Sequence, residues 1–461
     1  MFLRQTYVDR RGTLASRFEG GLLWLPGNVE SPINYADNCY HFRQDSTFLY
    51  YFGLNQADLA AIIDVEAGTA TIFGDELTID SIVWTGNLPT IAERAEKAGV
   101  MDTKPLAALT DMVQTAQSGG RDVHFLPPYR PDTFIELSRL LGFSHTEVHK
   151  RASTRFIQAV VDQRSRKSAE EIAEIEWAVN TSVDMHEAAI EMARPGMLES
   201  EIAAEVERIA MAGGARTSFP VIATIHGETL HNHDHGNVMS EGDLFLLDCG
   251  AESRLGYAGD LSSTFPVSSR FSDRQRIIYD LQLLAQVTAV ETLAPGVPYK
   301  DVHFAASRVI FDGLKELGIF KGDTDSALAG GAHAMVLPCG TGHMMGLDVH
   351  DMENLGEVYV GWDGQPKSTQ FGLKSLRLGR PLEPGFVVTV EPGIYFIPQL
   401  MDLWRSESHC TEFIDFDELD KWRSFGGVRN EEDYLITEDG ARRLGRHKAQ
   451  TVEEIEGLRC V

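Results

Sequence analysis

Acidic and histidine side chains stand at or near the ends of apolar runs in the C-terminal half of the sequence. Four carboxylates and one imidazole share this position: Asp248, Asp260, His343, Glu391 and Glu431. Each residue alone reads as an ordinary turn or surface residue, but several strand-like runs that each deliver such a side chain indicate one shared site. An oxygen-rich set with one imidazole suits hard or borderline divalent cations, with Mn²⁺ as the first choice and Zn²⁺, Co²⁺ or Fe²⁺ as alternatives. Because four carboxylates can neutralise two divalent cations, we predict a two-metal site.

Asp248 and Asp260 flank a predicted β-hairpin. Asp248 ends the apolar run 244–247, and Gly256 indicates a turn before Asp260. A hairpin centred near Arg254 would place the two aspartates opposite each other on antiparallel strands. Two carboxylates in that arrangement repel unless a cation or a proton lies between them. The hairpin therefore supports the metal prediction.

The N-terminal third of the sequence alternates between strand-like and helix-like patterns. Short apolar runs at 59–63 and 70–73 predict strands, and the segment 91–118 predicts a helix. No dense cluster of ligand-type residues occurs in this part. We therefore predict an N-terminal α/β domain over residues 1–163.

A helix start marks the predicted domain boundary. Ser168 and Glu171 have the Ser-x-x-Glu spacing of a capping box, in which two side chains satisfy two free N–H groups of the first turn. Apolar residues follow at helical spacing. We place the second domain at 164–461.

Two segments of the second domain share a helix–Pro-Gly–helix pattern. One pattern is interrupted by Pro195-Gly196 and the other by Pro295-Gly296. Pro and Gly are common helix-stop residues, so coincidence remains an alternative. A true repeat would indicate a pseudo-twofold α/β domain.

Charge and cysteine content limit the partners and the compartment. The chain has 68 acidic and 41 basic residues, for a net charge of −27. Such an acidic surface disfavours nucleic acids and anionic membranes as partners, and no apolar run reaches the length of a membrane span. The cysteines are odd in number and scattered: Cys39, Cys249, Cys339, Cys410 and Cys460. This pattern argues against a disulfide framework and fits a reducing cytoplasm.

Four segments resemble, in the same order, the metal-site blocks of the pita-bread metallopeptidases. They read LLDCGAESRLGYAGDLSSTFPV, GTGHMMGLDVHD, VVTVEPGIY and GVRNEEDYLIT. The nearest members of that family are the aminopeptidase P and prolidase group, whose N-terminal domain resembles FRQDS at 42–46 and WTG at 84–86. The resemblance implies a creatinase/prolidase-like N-terminal α/β domain followed by a pita-bread catalytic domain. It also implies a homodimer or a larger homo-oligomer.

The resemblance assigns roles to the five ligand-type residues. Asp248 resembles the ligand that holds one metal alone, and Asp260 and Glu431 resemble the two ligands that bridge both metals. His343 and Glu391 resemble the ligands of the other metal. Glu391 also matches the proton shuttle of the family.

Further residues match positions around the substrate. His231 and His350 resemble the histidines that contact the scissile carbonyl and the developing negative charge, and Arg429 resembles an arginine beside the bridging glutamate. Asp37 and Trp84 resemble residues that help to close the site of another subunit. All five are therefore candidate substrate-site residues.

The activity that the resemblance implies is hydrolysis of the bond before a proline in small proline-containing peptides. A hydroxide shared by the two metals attacks the carbonyl carbon. The segment 376–385 is similar to a prolidase segment in which the arginine matched by Arg377 binds the free carboxylate of a dipeptide. This favours a prolidase-like Xaa-Pro dipeptidase over an aminopeptidase P that acts on longer peptides, unless Arg377 is merely a solvated loop residue. An inactive pita-bread binding module and a creatinase-like C–N hydrolase are further alternatives, which the complete ligand set disfavours.

Three positions depart from the pattern of the family. Cys339 stands where a histidine is common, Asn430 where an isoleucine is common, and Asn232 where an aromatic residue often follows the substrate-site histidine. None of these changes removes a predicted metal ligand. We expect them to affect substrate fit and rate.

Overall fold

A computed structural model of the chain describes residues 1–144 and 146–459, so Cys460 lies outside the described residues. The chain forms two compact units. The N-terminal unit comprises 1–164 together with 352–359, and the C-terminal unit comprises 165–351 and 360–461.

Both units contain helices and strands. The helices are α1 (Arg4–Ala15), α2 (Ser46–Phe52), α3 (Ile79–Thr85), α4 (Ile91–Lys97), α5 (Ala108–Ser118), α6 (Pro131–Leu141), α7 (Val148–Arg151), α8 (Thr154–Ser165), α9 (Ala169–Met192), α10 (Glu199–Ala212), α11 (Asp273–Thr292), α12 (Tyr299–Glu316), α13 (Thr324–Gly330), α14 (Glu357–Val360), α15 (Pro398–Ser406), α16 (Phe416–Asp420) and α17 (Val452–Arg459). The strands are β1 (Leu22–Pro26), β2 (Ala60–Asp64), β3 (Thr69–Phe73), β4 (Asp102–Lys104), β5 (Val123–His124), β6 (Arg216–Thr217), β7 (Ile222–Thr224), β8 (Leu244–Cys249), β9 (Ala251–Glu252), β10 (Leu261–Pro266), β11 (Val387–Val390), β12 (Gly393–Tyr395), β13 (Gly427–Arg429), β14 (Glu432–Ile436) and β15 (Ala441–Arg443). Among the described residues, none of the helices combines the length and the apolar character that a bilayer crossing requires.

The N-terminal unit is built on a five-stranded sheet in the order β4-β3-β2-β1-β5. The three central strands pair antiparallel, and both outer strands pair parallel to their neighbours. Trp24, Ile62, Phe73 and Leu137 belong to the buried cluster against which α5 and α6 pack. The predicted strands near 59–63 and 70–73 are confirmed as β2 and β3, because alternating apolar residues cover this core.

The prediction of one helix over 91–118 is wrong. Helix α4 ends at Lys97, and Gly99 then adopts a left-handed backbone (φ +72°) that a continuing helix does not allow. Residues 102–104 leave the helical path to pair with β3, and α5 resumes the helical path. Pairing with a sheet edge has overridden the local helical pattern here.

Two helix pairs open the two halves of the C-terminal unit. Helix α9 begins with the predicted capping box, in which Ser168 Oγ accepts from the Glu171 N–H and the Glu171 carboxylate accepts from the Ser168 N–H (3.0 Å). Helix α9 packs on α10 and α11 packs on α12. The glycines between the paired helices, Gly196 and Gly296, both have positive φ (+92° and +83°). Both helix–Pro-Gly–helix segments therefore form the same local structure.

Two three-stranded sheets follow the helix pairs and carry the ligand-type residues. Their orders are β10-β8-β7 and β11-β14-β15. A bridge between Ser262 and Glu431 connects the edge of the first sheet with the beginning of β14. The segment around His343 extends the second sheet, because the Met345 N–H donates to Val387 O and the Thr389 N–H donates to His343 O (3.1 Å). The two sheets thus bring residues from distant parts of the chain to one place.

Candidate active site

The hairpin of β8 and β10 carries Asp248 on β8 and Asp260 directly before β10. Asp248 lies directly opposite Ser262, so Asp260 is its diagonal neighbour and the predicted opposite pairing is wrong by two residues. The turn is centred on Leu255 because Gly256 adopts φ +90° and the Ser253 N–H donates to Tyr257 O (2.7 Å). Both carboxylates still belong to one face of the hairpin.

His343 and Glu391 meet through the pairing of two adjacent segments. The Glu391 N–H donates to Thr341 O (2.9 Å), which fixes the end of β11 beside the histidine segment. His343 Nε2 lies 3.6 Å from Glu391 Oε1 and 3.3 Å from Asp260 Oδ2. The imidazole therefore faces carboxylates from two different segments.

The backbone selects the tautomer of His343. Its Nδ1 lies 3.0 Å from Met344 O, and a carbonyl oxygen only accepts hydrogen bonds, so Nδ1 carries the proton. In a neutral imidazole this leaves the lone pair on Nε2, which faces the carboxylates of Asp260 and Glu391. A neutral imidazole fixed in this way is the form that binds a metal ion.

Glu431 and Asp248 are held by a hydrogen-bonded frame around Arg429. Ser262 Oγ donates to Glu431 Oε2 (2.7 Å) and accepts from Arg429 Nε (2.9 Å). The same guanidinium donates to Asp248 Oδ2 (2.6 Å) and to the hydroxyl of Tyr395 (2.8 Å). Because the planar guanidinium presents its donors in a fixed fork, it sets the distance between these groups.

The cluster has the residue types of a metal site, and it contains carboxylate oxygens that lack a hydrogen-bond partner. Ligand atoms of Asp260, His343 and Glu431 all lie within 4.8 Å of one another. Asp248 Oδ1 and Asp260 Oδ1 are buried without a hydrogen-bond partner. Buried carboxylate oxygens are normally paired, so these two lack a donor or a cation. The residues present fit divalent metal ions.

Crowding of the carboxylates shows in their pKa values. Burial, followed by the charge of Asp248, raises the pKa of Asp260 to about 8. Burial also raises the pKa of Glu391 to about 7, although His343 opposes the shift. Burial, followed by the charge of Asp260, raises the pKa of Glu431 as well. Divalent cations would relieve this repulsion.

A cavity of about 250 Å³ opens beside the cluster. His231, His350 and Arg377 line it together with Arg429 and the five ligand-type residues. The ring centroids of His343 and His350 are 4.3 Å apart, and burial, followed by Arg429, lowers the pKa of His231. The structure therefore brings together the predicted site residues of the C-terminal unit.

Two predicted substrate residues belong to the N-terminal unit. Asp37 lies in an exposed loop, and Trp84 on α3 is 86 % exposed. All residues that line the cavity belong to the C-terminal unit. The roles of Asp37 and Trp84 stay predictions.

The three departures from the family pattern occupy different environments. Asn430 turns away from the ligands, because its Nδ2 donates to Gln282 Oε1 (2.5 Å). Asn232 Nδ2 donates to Thr224 Oγ1 (2.9 Å) and thereby holds the loop that carries His231. Cys339 lines the cavity itself. Of the three, Cys339 is the one placed to touch a substrate.

Several residues of the site were missed by the sequence analysis. Ser262 and Tyr395 hold Glu431 and Arg429, and His233 lines the cavity. Ser262 could have been found from the strand period, because it stands two residues after Asp260 and so shares its face. Tyr395 is an ordinary aromatic residue of a buried strand, and its sequence carries no signal of this role.

Family models match both parts of the chain. Residues 173–438 match the model of metallopeptidase family M24, and residues 7–124 match the N-terminal domain of aminopeptidase P. The M24 match covers more than half of the chain and contains the five ligand-type residues.

Curated proteins and solved structures match over nearly the whole length. The Xaa-Pro dipeptidase of Rattus norvegicus is 30 % identical over 98 % of this chain and 92 % of its own. The Xaa-Pro aminopeptidase of Escherichia coli is 31 % identical over 99 % of this chain and 97 % of its own. The structure of Pseudomonas aeruginosa aminopeptidase PepP superposes with a TM-score of 0.82 at 28 % identity, covering 100 % of this chain and 98 % of that one.

These matches confirm the predicted fold class, with an aminopeptidase P-like N-terminal domain before a pita-bread catalytic domain. They also agree with a site that takes divalent metals. With its cluster of carboxylates and one histidine, the chain belongs to metallopeptidase family M24.

Proposed function

We propose that this chain is a two-metal exopeptidase that hydrolyses the Xaa-Pro bond of small peptides. The observation that carries the proposal is the convergence of Asp248, Asp260, His343, Glu391 and Glu431 on one cavity. A volume of about 250 Å³ lies below the roughly 300–1,000 Å³ of typical ligand sites, which suits a short substrate. The named activities of the rat and E. coli relatives agree with this substrate class.

The ligand-type residues divide between two cations. Asp248 would hold one cation, His343 and Glu391 the other, and Asp260 and Glu431 both. Mn²⁺ is our first choice because oxygen ligands dominate, with Zn²⁺, Co²⁺ or Fe²⁺ as alternatives. Two such cations supply polarisation of the scissile carbonyl and a nucleophilic water at neutral pH.

The side chains of the cavity perform the remaining steps. Glu391 accepts a proton from the attacking water and passes it to the proline nitrogen, which must be protonated before it can leave. His231 and His350 line the same cavity and donate hydrogen bonds to the carbonyl oxygen as negative charge develops there. Arg429 keeps Asp248 in place through its 2.6 Å hydrogen bond.

Arg377 favours a dipeptidase over an aminopeptidase. Arg377 lines the cavity, and its guanidinium would bind the free carboxylate of an Xaa-Pro dipeptide in bidentate fashion. A longer peptide has no carboxylate at that point. Cleavage of longer peptides, as in an Xaa-Pro aminopeptidase, is the second candidate, and the similarity to E. coli aminopeptidase supports it.

The exposed apolar surface of helix α3 is an argument for an oligomeric enzyme. Ile79, Val83 and Trp84 on this helix are 73–86 % exposed, and no residue of the helix is buried. Such an apolar surface is typical of a protein interface. We propose a homodimer or a larger homo-oligomer, in which Asp37 and Trp84 approach the site of a partner subunit.

The domain division and the compartment are part of the same proposal. We assign the N-terminal domain to 1–163 and the catalytic domain to 164–461. We assign the enzyme to the cytoplasm, because Cys39, Cys249, Cys339 and Cys410 are free thiols, as expected in a reducing compartment.

An assay with Mn²⁺ on Gly-Pro and on Gly-Pro-Leu tests the proposal. Cleavage of Gly-Pro alone supports the dipeptidase, and cleavage of Gly-Pro-Leu supports the aminopeptidase. Cleavage of neither peptide by a protein that has bound metal would overturn the proposal in favour of a binding module.

A further inference from the structure

A fully buried lysine contacts the strand that carries Asp260. Lys448 has no exposed surface, and its ammonium donates to the carbonyl oxygen of Ser262 and to Ser263 Oγ (3.0 Å). The carboxylate of Glu432 lies 4.0 Å away. Lys448 follows the last strand of the second sheet and belongs to none of the four sequence blocks that marked the metal site.

An ammonium group is buried only where nearby groups compensate for its lost hydration, because removing a charge from water has a large free-energy cost. Behind the ligand cluster lie two further buried carboxylates, Glu432 and Asp433, and each has one oxygen without a hydrogen-bond partner. Lys448 is therefore a buried cation beside this second layer of negative charge.

Hydrogen bonds through Ser262 connect Lys448 to the ligand-type residue Glu431. Ser262 O accepts from both Lys448 and the Glu431 N–H (3.1 Å), while Ser262 Oγ donates to Glu431 Oε2 (2.7 Å). Asp260 stands two residues earlier on the same face, and its N–H donates to Asp433 Oδ2 (3.0 Å). A shift of Ser262 would thus move one ligand-type residue through hydrogen bonds and another through the backbone.

We propose that Lys448 is a positioning residue of the metal site, which fixes Ser262 and thereby sets the separation of Asp260 and Glu431. Its charge also allows the two layers of carboxylates to lie close together. The inference rests on the proposed metal site and adds a residue to it. Loss of a group that orients metal ligands typically weakens metal affinity by 10- to 100-fold, and we expect Lys448→Met to fall in that range.

Lys167 offers a matched control. It is a second buried lysine, with a side chain that is 1 % exposed and paired with Asp351 at 3.0 Å. Its hydrogen bonds go to Asp351 and to Ser165 O, not to the Ser262–Glu431 pair. Lys167→Met therefore imposes the same kind of damage, the loss of a buried lysine from its carboxylate, on the loop next to His350 instead of on the Ser262–Glu431 pair.

The test is titration of chelator-stripped protein with Mn²⁺ by calorimetry, together with the melting temperature of each metal-free protein. We expect Lys448→Met to bind Mn²⁺ at least tenfold more weakly than the wild type, and Lys167→Met to bind like the wild type. If both variants lose a similar amount of melting temperature and only Lys448→Met loses Mn²⁺ affinity, general destabilisation does not explain the weaker binding.

Two results would overturn the inference. One is wild-type affinity in Lys448→Met, and the other is an equal loss of affinity in both variants. If Lys448→Met does not fold, Lys448→Gln keeps N–H donors without the charge, and the same two results apply to it. Failure of the wild type to bind Mn²⁺ would instead contradict the proposed metal site.

Discussion

Single side chains at the site act through fixed hydrogen bonds. Met344 O selects the tautomer of His343, and Arg429 joins Asp248 to Tyr395. The ligand types could be predicted from the sequence because metal chemistry restricts them to Asp, Glu and His. Ser262, which holds Glu431, could not be predicted with equal force, because a serine in a strand has many common uses.

Glu391→Gln tests the proposed proton transfer. The amide keeps the shape of the side chain but cannot accept and return a proton, so we expect kcat to fall by roughly 10²–10⁴-fold. Kinetics on Gly-Pro at saturating Mn²⁺ measure this. Glu412→Gln, at an exposed glutamate, is the control and should leave kcat unchanged. A Glu391→Gln enzyme with wild-type kcat would exclude the shuttle.

Arg377→Met tests the recognition of a free carboxylate. Hydrogen bonds to a charged group contribute about 1.5–3 kcal/mol, so we expect kcat/KM for Gly-Pro to fall by roughly 10- to 150-fold. The matched substrate is Gly-Pro amide, which lacks the carboxylate and should be cleaved equally well by both enzymes. An equal loss on both substrates would mean that Arg377 does not read the carboxylate.

At the scale of elements, strands and their turns decide which ligands meet. The apolar runs near 59–63, 70–73 and 244–247 predicted strands that form, because alternation and buried runs are strong local signals. The register of the Asp248–Asp260 hairpin was wrong, since a turn centred on Leu255 depends on the backbone of Gly256. The helix predicted over 91–118 was wrong because β4 finds a partner 31 residues earlier in the chain, which no local pattern reveals.

A buried ion pair fixes the loop that ends in His350. Asp351 accepts from Lys167 Nζ (3.0 Å), and both side chains are 1 % exposed. The Asp351 N–H also donates to Met344 O (2.9 Å), which closes the loop beside the ligand His343. A Cβ on Gly346 would lie 2.6 Å from the Asp351 carboxylate, so the loop is tightly packed around this pair.

Asp351→Asn tests this loop. Breaking a buried ion pair by changing one partner costs about 3–5 kcal/mol, and we expect a lower melting temperature. Because His350 is the adjacent residue, kcat/KM on Gly-Pro should fall as well, while Mn²⁺ affinity stays at the wild-type value. Unchanged kcat/KM together with a lowered melting temperature would restrict the pair to a structural role.

Over the whole molecule, the fold buries part of the excess negative charge in one place. Part of the acidic excess behind the net charge of −27 is buried, in Asp248, Asp260 and Glu431 of the ligand cluster and in Glu432 and Asp433 behind it. The sequence predicted two domains and their class, because a capping box marks a helix start at the boundary and the ligand-type residues cluster beyond it. It did not predict how the two sheets meet through Ser262 and Glu431, which is a long-range contact between residues 169 positions apart.

Metal binding should stabilise the chain. A cation present at 100 times its dissociation constant adds about 2.7 kcal/mol per site, so we expect Mn²⁺ to raise the melting temperature of chelator-stripped protein by several degrees. Glu431→Gln should abolish this response. Its metal-free form should melt no lower than the metal-free wild type, because the substitution removes one charge from a crowded cluster. A wild-type response in Glu431→Gln would contradict the assignment of Glu431.

The stoichiometry of Mn²⁺ binding to chelator-stripped protein decides whether the chain holds a two-metal site. Calorimetric titration should give two Mn²⁺ ions per chain for the wild type, and Asp260→Asn should weaken both, because Asp260 is assigned to both cations. Binding of no Mn²⁺ by the wild type, or two ions bound unchanged by Asp260→Asn, would contradict the account.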